Sequence, residues 1–233
     1  MLDAPARRLL APALDRVAAV LERAGVPPLA LTGTGFAFGA AACLAAAGGR
    51  WGLALALWLA NRLLDGLDGP VARRRGATEL GGFLDLVADF TVYGGFVVAL
   101  AYAVPGARLA CIVLLGTYYI SGTAFLGLSS VLERRAHESL DCEVAQDGRS
   151  LRFVGGLAEG TETVLAYSLI CLLPAHAVAF VWTFAAAVAI TAGQRVCTAV
   201  GVLRRPRTSP AADPTADAVR PSFHRRSVRS PTS

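Results

Sequence analysis

Six long apolar segments leave few folds open to this chain. They cover residues 29–48, 51–64, 80–104, 109–132, 153–173 and 175–203. A helix needs about 20 predominantly apolar residues to cross a bilayer. The second segment is too short alone, so its helix must run on into the polar stretch after Leu64. Hydrophobic residues make up 55% of the chain and charged residues 17%, a balance that excludes an ordinary soluble domain. The links at Gly49-Arg50, Pro105-Gly106 and Pro174 are short, whereas those at 73–78 and 133–152 are polar. The pattern predicts an all-α polytopic membrane protein with six transmembrane helices, preceded by an amphipathic interfacial helix.

Arginine placement predicts the orientation. All basic residues are Arg, and the net charge is +5. With the N-terminus in the cytoplasm, Arg7, Arg8, Arg16 and Arg23 lie inside, together with Arg73–Arg75, Arg134, Arg135, Arg149, Arg152 and the C-terminal arginines. Only Arg50 and Arg108 fall outside, which satisfies the positive-inside rule. Both termini are therefore expected in the cytoplasm. The basic balance is explained by topology, with no nucleic-acid partner expected. No signal-peptide pattern is seen at the N-terminus, and the isolated Cys43, Cys111, Cys142, Cys171 and Cys197 form no disulfide framework or zinc motif.

Three regions follow. Residues 1–27 form an N-terminal amphipathic juxtamembrane segment, with Leu10, Leu14, Val17 and Leu21 on one helical face. Such a helix can lie in the bilayer interface or pack on the protein as an ordinary solvated helix, and the residues alone leave both open. Residues 28–203 hold the six spans. Residues 204–233, rich in Pro, Ser, Ala and Arg, read as a disordered basic cytoplasmic tail able to touch anionic lipid headgroups.

Four aspartates break the apolar pattern. Asp65 and Asp68 are three apart at the end of the second span; Asp85 and Asp89 are four apart at the start of the third. Each spacing puts both carboxylates on one helix face. The helices are antiparallel across a short loop, so the pairs can face each other. An acidic group at the centre of a span costs about 2.5–3.5 kcal/mol. Four converging carboxylates therefore call for a compensating cation or a water-filled cavity, and hard oxygen ligands suit Mg²⁺ or Mn²⁺. Interfacial carboxylates paired with Arg62 and Arg73–Arg75 are the simpler alternative. Gly66 and Gly69 allow close approach to the helix backbone, and Arg73 can grip phosphate with a forked geometry.

The pattern Asp65-x-x-Asp68-Gly69-x-x-Ala72-Arg73, then Gly81-x-x-x-Asp85-x-x-x-Asp89, resembles the signature of the CDP-alcohol phosphatidyltransferase family. The first half fixes five residues; at about 5–8% usage each, chance supplies on the order of one match per million starting positions. The resemblance covers the six-span core. It implies metal-dependent transfer of a phosphatidyl group from CDP-diacylglycerol, or a related CDP-alcohol, to a polar alcohol acceptor, with release of CMP. It implies Asp65, Asp68, Asp85 and Asp89 as ligands of two Mg²⁺ or Mn²⁺ ions, and Asp89 also as the catalytic carboxylate. Thr32, Gly69, Ala72, Arg73 and Thr78 are the implied CDP contacts. It further implies a phospholipid-synthesis enzyme of the bacterial inner membrane, surrounded by membrane lipids, homodimeric, with its active site at the cytoplasmic face. The loop between Arg73 and Gly81 is shorter than is usual in the family, and Leu29 replaces a polar residue common there.

Acceptor choice is weakly encoded. Glu159, Glu162 and Thr163 share a face near the start of the fifth span, and Arg195 lies in the sixth. The acids could bind an amine-bearing acceptor or hold Arg152 or Arg195 in place, and Arg195 could meet an acceptor phosphate. Serine, a polyol, glycerol phosphate and inositol phosphate all remain open. Gly35-x-x-x-Gly39 reads as a helix-packing motif. Two other classes compete with the enzyme: an ion-coupled transporter and a non-catalytic membrane protein that retains the motif. A transporter predicts broken helices at the bilayer midplane, whereas these acids cluster at one end.

Overall fold

The computed structural model describes residues 3–138 and 160–204. Those residues form helices joined by tight turns: α1 (Asp3–Arg23), α2 (Pro28–Ala47), α3 (Trp51–Arg75), α4 (Glu79–Ala103), α5 (Arg108–Glu138), α6 (Gly160–Leu172) and α7 (Ala177–Arg204). Short 3₁₀ turns at Pro105–Ala107 and Pro174–His176 lead into α5 and α7. The all-α expectation holds for the described residues.

Four helical stretches are long and apolar enough to cross a membrane: Pro28–Ala47, Glu79–Ala103, Pro105–Arg134 and Pro174–Arg204. The other two expected spans differ in kind. Helix α3 has 25 residues, enough length, and it runs unbroken through the polar stretch to Arg75. From its middle onward it carries Arg62, Asp65 and Asp68, so composition alone does not mark it as a span. Helix α6 has 13 described residues, and the expected start of that span lies outside the described residues. The C-terminal tail and Cys142 also lie outside them. Cys43, Cys111, Cys171 and Cys197 are free thiols.

Helix α2 packs along both α3 and α4, α5 packs along α7, and α6 sits against α3 and α7. Small residues permit the closest approach. A Cβ on Gly39 would meet Val92 Cγ2 at 2.5 Å, and one on Gly35 would meet Leu64 Cβ at 3.4 Å. The Gly35/Gly39 face of α2 thus lies against α3 and α4 at once, and the motif serves packing. An aromatic group fills the centre: Trp58, Phe96 and Tyr167 are buried, with the Phe96 and Tyr167 rings stacked at 4.5 Å. This group lies about two to three helical turns from the aspartates along α3 and α4.

Helix α1 docks on α3 through Leu14, Ala18 and Leu21. Ala18 is fully buried in a small cluster with Leu31 and Val71, and Leu14 lies against Gly66. Arg74 pairs with Glu22 at 3.4 Å, and Arg75 donates to the Gly25 and Glu22 carbonyls at 3.0 Å each. Gly25, at φ +80°, supplies the left-handed residue that ends α1. Leu9, Leu10, Val17 and Val20 stay exposed. One face of α1 is therefore packed on the protein, and a second apolar face is left uncovered.

Candidate active site

The loop 76–78 turns the chain so that α4 runs back along α3. Gly76 takes φ +94°, a conformation that a side chain disfavours. Thr78 then caps α4, its hydroxyl accepting from Gly81 N–H at 3.1 Å. This hairpin brings the two carboxylate pairs together. Asp65, Asp68 and Asp85 each offer an oxygen, and the three oxygens lie within 4.8 Å of one another. Asp68 is buried and accepts a hydrogen bond from the Thr32 hydroxyl at 3.0 Å. Thr32 thus ties the start of α2 to the cluster.

Asp89 faces the same pocket, which is also lined by Thr32, Gly35, Phe36, Asn61 and Ala88. It does not join the group of three. Arg62 Nη2 donates to Asp89 Oδ1 at 2.8 Å, and Arg62 Nη1 lies 3.4 Å from Asp65 Oδ2. Arg62 is itself held firmly: Nη1 donates to Tyr93 Oη at 2.7 Å and Nε to Asn61 Oδ1 at 2.8 Å. Asn61 in turn donates to the Gly35 carbonyl at 2.8 Å.

The remaining expected contacts are spread more widely. Gly69 and Arg73 are neighbours, since a Cβ on Gly69 would lie 3.5 Å from Arg73 Nη1. Ala72 is half-buried, and Arg73 and Thr78 are exposed. Of the acceptor candidates, Arg195 donates to Ser121 Oγ at 2.9 Å and stacks on Phe125 at 5.3 Å. Glu162 lies in the first turn of α6; Glu159 lies outside the described residues. The sequence marks Arg62 as one possible partner of the acids but gives Asn61 and Tyr93 no such place. The available signal was a polar pair, Asn61-Arg62, set inside an apolar run. Of the proposed arginine partners, Arg74 and Arg75 bind α1, while Arg62 alone is seen to pair with the aspartates among the described residues.

The model of the CDP-alcohol phosphatidyltransferase family matches residues 26–193, which takes in α2 to α6 and the whole carboxylate site. The chain belongs to the CDP-alcohol phosphatidyltransferase family. Among curated proteins, the inner membrane protein YnjF of Escherichia coli K12 is 40% identical over 179 residues, covering 75% of this chain and 84% of YnjF. The fold is also that of the phosphatidylinositol phosphate synthase PgsA1 of Mycobacterium tuberculosis. The structure of PgsA1 with CDP-DAG bound matches at TM-score 0.62 and 23% identity, covering 83% of this chain and 98% of that one. A second PgsA1 structure, in complex with manganese and citrate, matches with the same score and identity over 93% of its own chain. Membership in the transferase family gives the three-carboxylate cluster its chemical context.

Thr78 has two candidate roles, cap and donor contact, and they separate experimentally. Thr78→Ala is expected to lose about 1 kcal/mol through the cap. Thr78→Asn, which still caps and adds no charge, is expected to melt like the wild type. If Asn restores the melting temperature but KM for the CDP donor stays raised, the hydroxyl also serves the donor. Recovery of both leaves Thr78 as a cap alone.

Proposed function

We propose that this protein transfers a phosphatidyl group from CDP-diacylglycerol, or a related CDP-alcohol, to a small polar alcohol and releases CMP. The observation that carries this reading is the convergence of Asp65, Asp68 and Asp85 within 4.8 Å across the α3–α4 hairpin in a chain of this family. Three carboxylates held this close repel one another without a cation. Their acceptor-only oxygens fit a hard divalent metal, and Thr32 uses its hydroxyl to fix Asp68 from outside the group. When bound there, one or two Mg²⁺ or Mn²⁺ ions would neutralise the pyrophosphate and stabilise charge on the departing CMP.

The chain's own groups supply the rest. Gly69 leaves room beside the backbone for the donor, and Arg73, next to it, offers a forked donor to phosphate. Thr32, Ala72 and Thr78 complete the proposed CDP surface. The Asp89 carboxylate takes the proton of the acceptor hydroxyl. The acceptor oxygen bonds to the phosphatidyl phosphorus, the bond from that phosphorus to the CMP oxygen breaks, and its electron pair leaves with CMP. Arg195 and Glu162 are proposed to face the acceptor. In support, Arg195 binds Ser121, and the next residue, Gly122, abuts the ring of Phe90, which follows Asp89 on α4.

The wider architecture follows the same reading. Six spans, with α3 and α6 among them, place both termini and the aspartates at the cytoplasmic face of a bacterial inner membrane. The uncovered Leu9, Leu10, Val17 and Val20 face of α1 then rests in the bilayer interface. Residues 1–27, 28–203 and 204–233 act as interfacial segment, catalytic unit and tail, and the unit is a homodimer.

The test uses purified full-length protein in lipid nanodiscs with CDP-diacylglycerol, Mn²⁺ or Mg²⁺, and a panel containing serine, a polyol, glycerol phosphate and inositol phosphate. CMP release that needs one of the alcohols and stops with EDTA is expected. No CMP with any acceptor or metal, from folded protein, would refute the assignment.

A further inference from the structure

Arg62 has no place in the motif, yet it is the most tightly held charge near the site. Its side chain is 9% exposed. Its guanidinium sits 4.8 Å from the Trp58 ring centroid and 4.9 Å from that of Tyr93. Asn61, Tyr93, Asp65 and Asp89 take its donors. A guanidinium bonded on so many sides cannot swing aside without stranding buried partners. It is a fixed positive charge set between two carboxylates, and it grips the aspartate that stands outside the group of three.

We propose that Arg62 is a built-in cation of the carboxylate site, a positioning residue that aims Asp89 and lowers the site's affinity for divalent metal. Two features support this. The short bond to Asp89 Oδ1 fixes the orientation of that carboxylate, while the longer contact to Asp65 reaches a member of the metal-binding group. Four carboxylates against one guanidinium also leave the site anionic, so it still attracts metal, but less than four unopposed carboxylates would. The inference rests on the metal-binding reading above.

Mn²⁺ binding to the full chain in nanodiscs, followed by the electron paramagnetic resonance of free Mn²⁺, tests it without reference to turnover. Arg62→Gln is expected to bind Mn²⁺ about tenfold more tightly, because one nearby positive charge is gone. Arg62→Lys keeps the charge and is expected to stay within about threefold of wild type, but an ammonium cannot fork between two carboxylates. Both variants are expected to lose kcat with little change in the donor KM. A residue of purely structural importance would weaken metal binding on removal, not strengthen it. Unchanged or weaker Mn²⁺ binding in folded Arg62→Gln overturns the proposal. Should that variant fold only with Mn²⁺ present, the added metal is replacing the lost charge, as expected; failure to fold even with Mn²⁺ counts against it. A wild type that binds no Mn²⁺ removes the metal reading itself, an outcome read in a separate arm from the comparison of variants.

Discussion

Asp89→Asn is expected to lower CMP release about a thousandfold, the size of effect associated with loss of a general base. The amide keeps the shape of the carboxylate and can still accept from Arg62, so the helix packing survives and the protein remains in the membrane. What it cannot do is take a proton from an alcohol. Asp68→Asn is expected to be equally inactive for a different reason, because Asp68 is the buried member of the three-oxygen group. The two variants separate on Mn²⁺ binding, where Asp68→Asn should show the larger loss. Turnover near the wild-type rate in Asp89→Asn would remove Asp89 from the chemistry.

The largest effect on stability is expected at Gly39. An added Cβ would lie 2.5 and 2.9 Å from the two methyls of Val92. Val92 is 2% exposed and β-branched, so it cannot rotate away cheaply. Helix α2 must then move off α4. Gly39→Ala should cost about 1–3 kcal/mol, as overpacking in a filled core does, and Gly39→Leu should leave little folded protein. Gly33 is the control: it lies in the same helix, and a Cβ added there would meet nothing within 4 Å. Gly33→Ala should be neutral or stabilising by up to about 1 kcal/mol, since Ala is the better helix former. Equal melting temperatures for Gly39→Ala and Gly33→Ala in detergent would contradict the packing described above.

These two sites differ in how readily they can be read from sequence. Asp65, Asp68, Asp85 and Asp89 announce themselves, because carboxylates are costly in an apolar run and their spacing follows the helical repeat. Arg62 and Asn61 were far less legible, since their partners Tyr93 and Gly35 lie on other helices. Helix α1 shows a related limit. Its Leu14, Ala18 and Leu21 pack on α3 while Leu9, Leu10, Val17 and Val20 do not, and both sets are apolar. The Gly35–Gly39 spacing suggested packing, but not that one face would meet α3 and α4 together.

The chain alone determined that it is helical, that most of its apolar runs are long enough for a membrane, and that two carboxylate pairs flank one tight turn. Such features are set by local spacing and by the cost of charge in an apolar run. Tertiary structure decided that Asp65, Asp68 and Asp85 form one group while Asp89 is gripped by Arg62. It also decided which small residues face a neighbouring helix. In a membrane protein the lipid-facing and core-facing sides of a helix are both apolar, so hydrophobic periodicity does not mark the buried face. Only the packing of α2, α3 and α4 fixes which side chains meet.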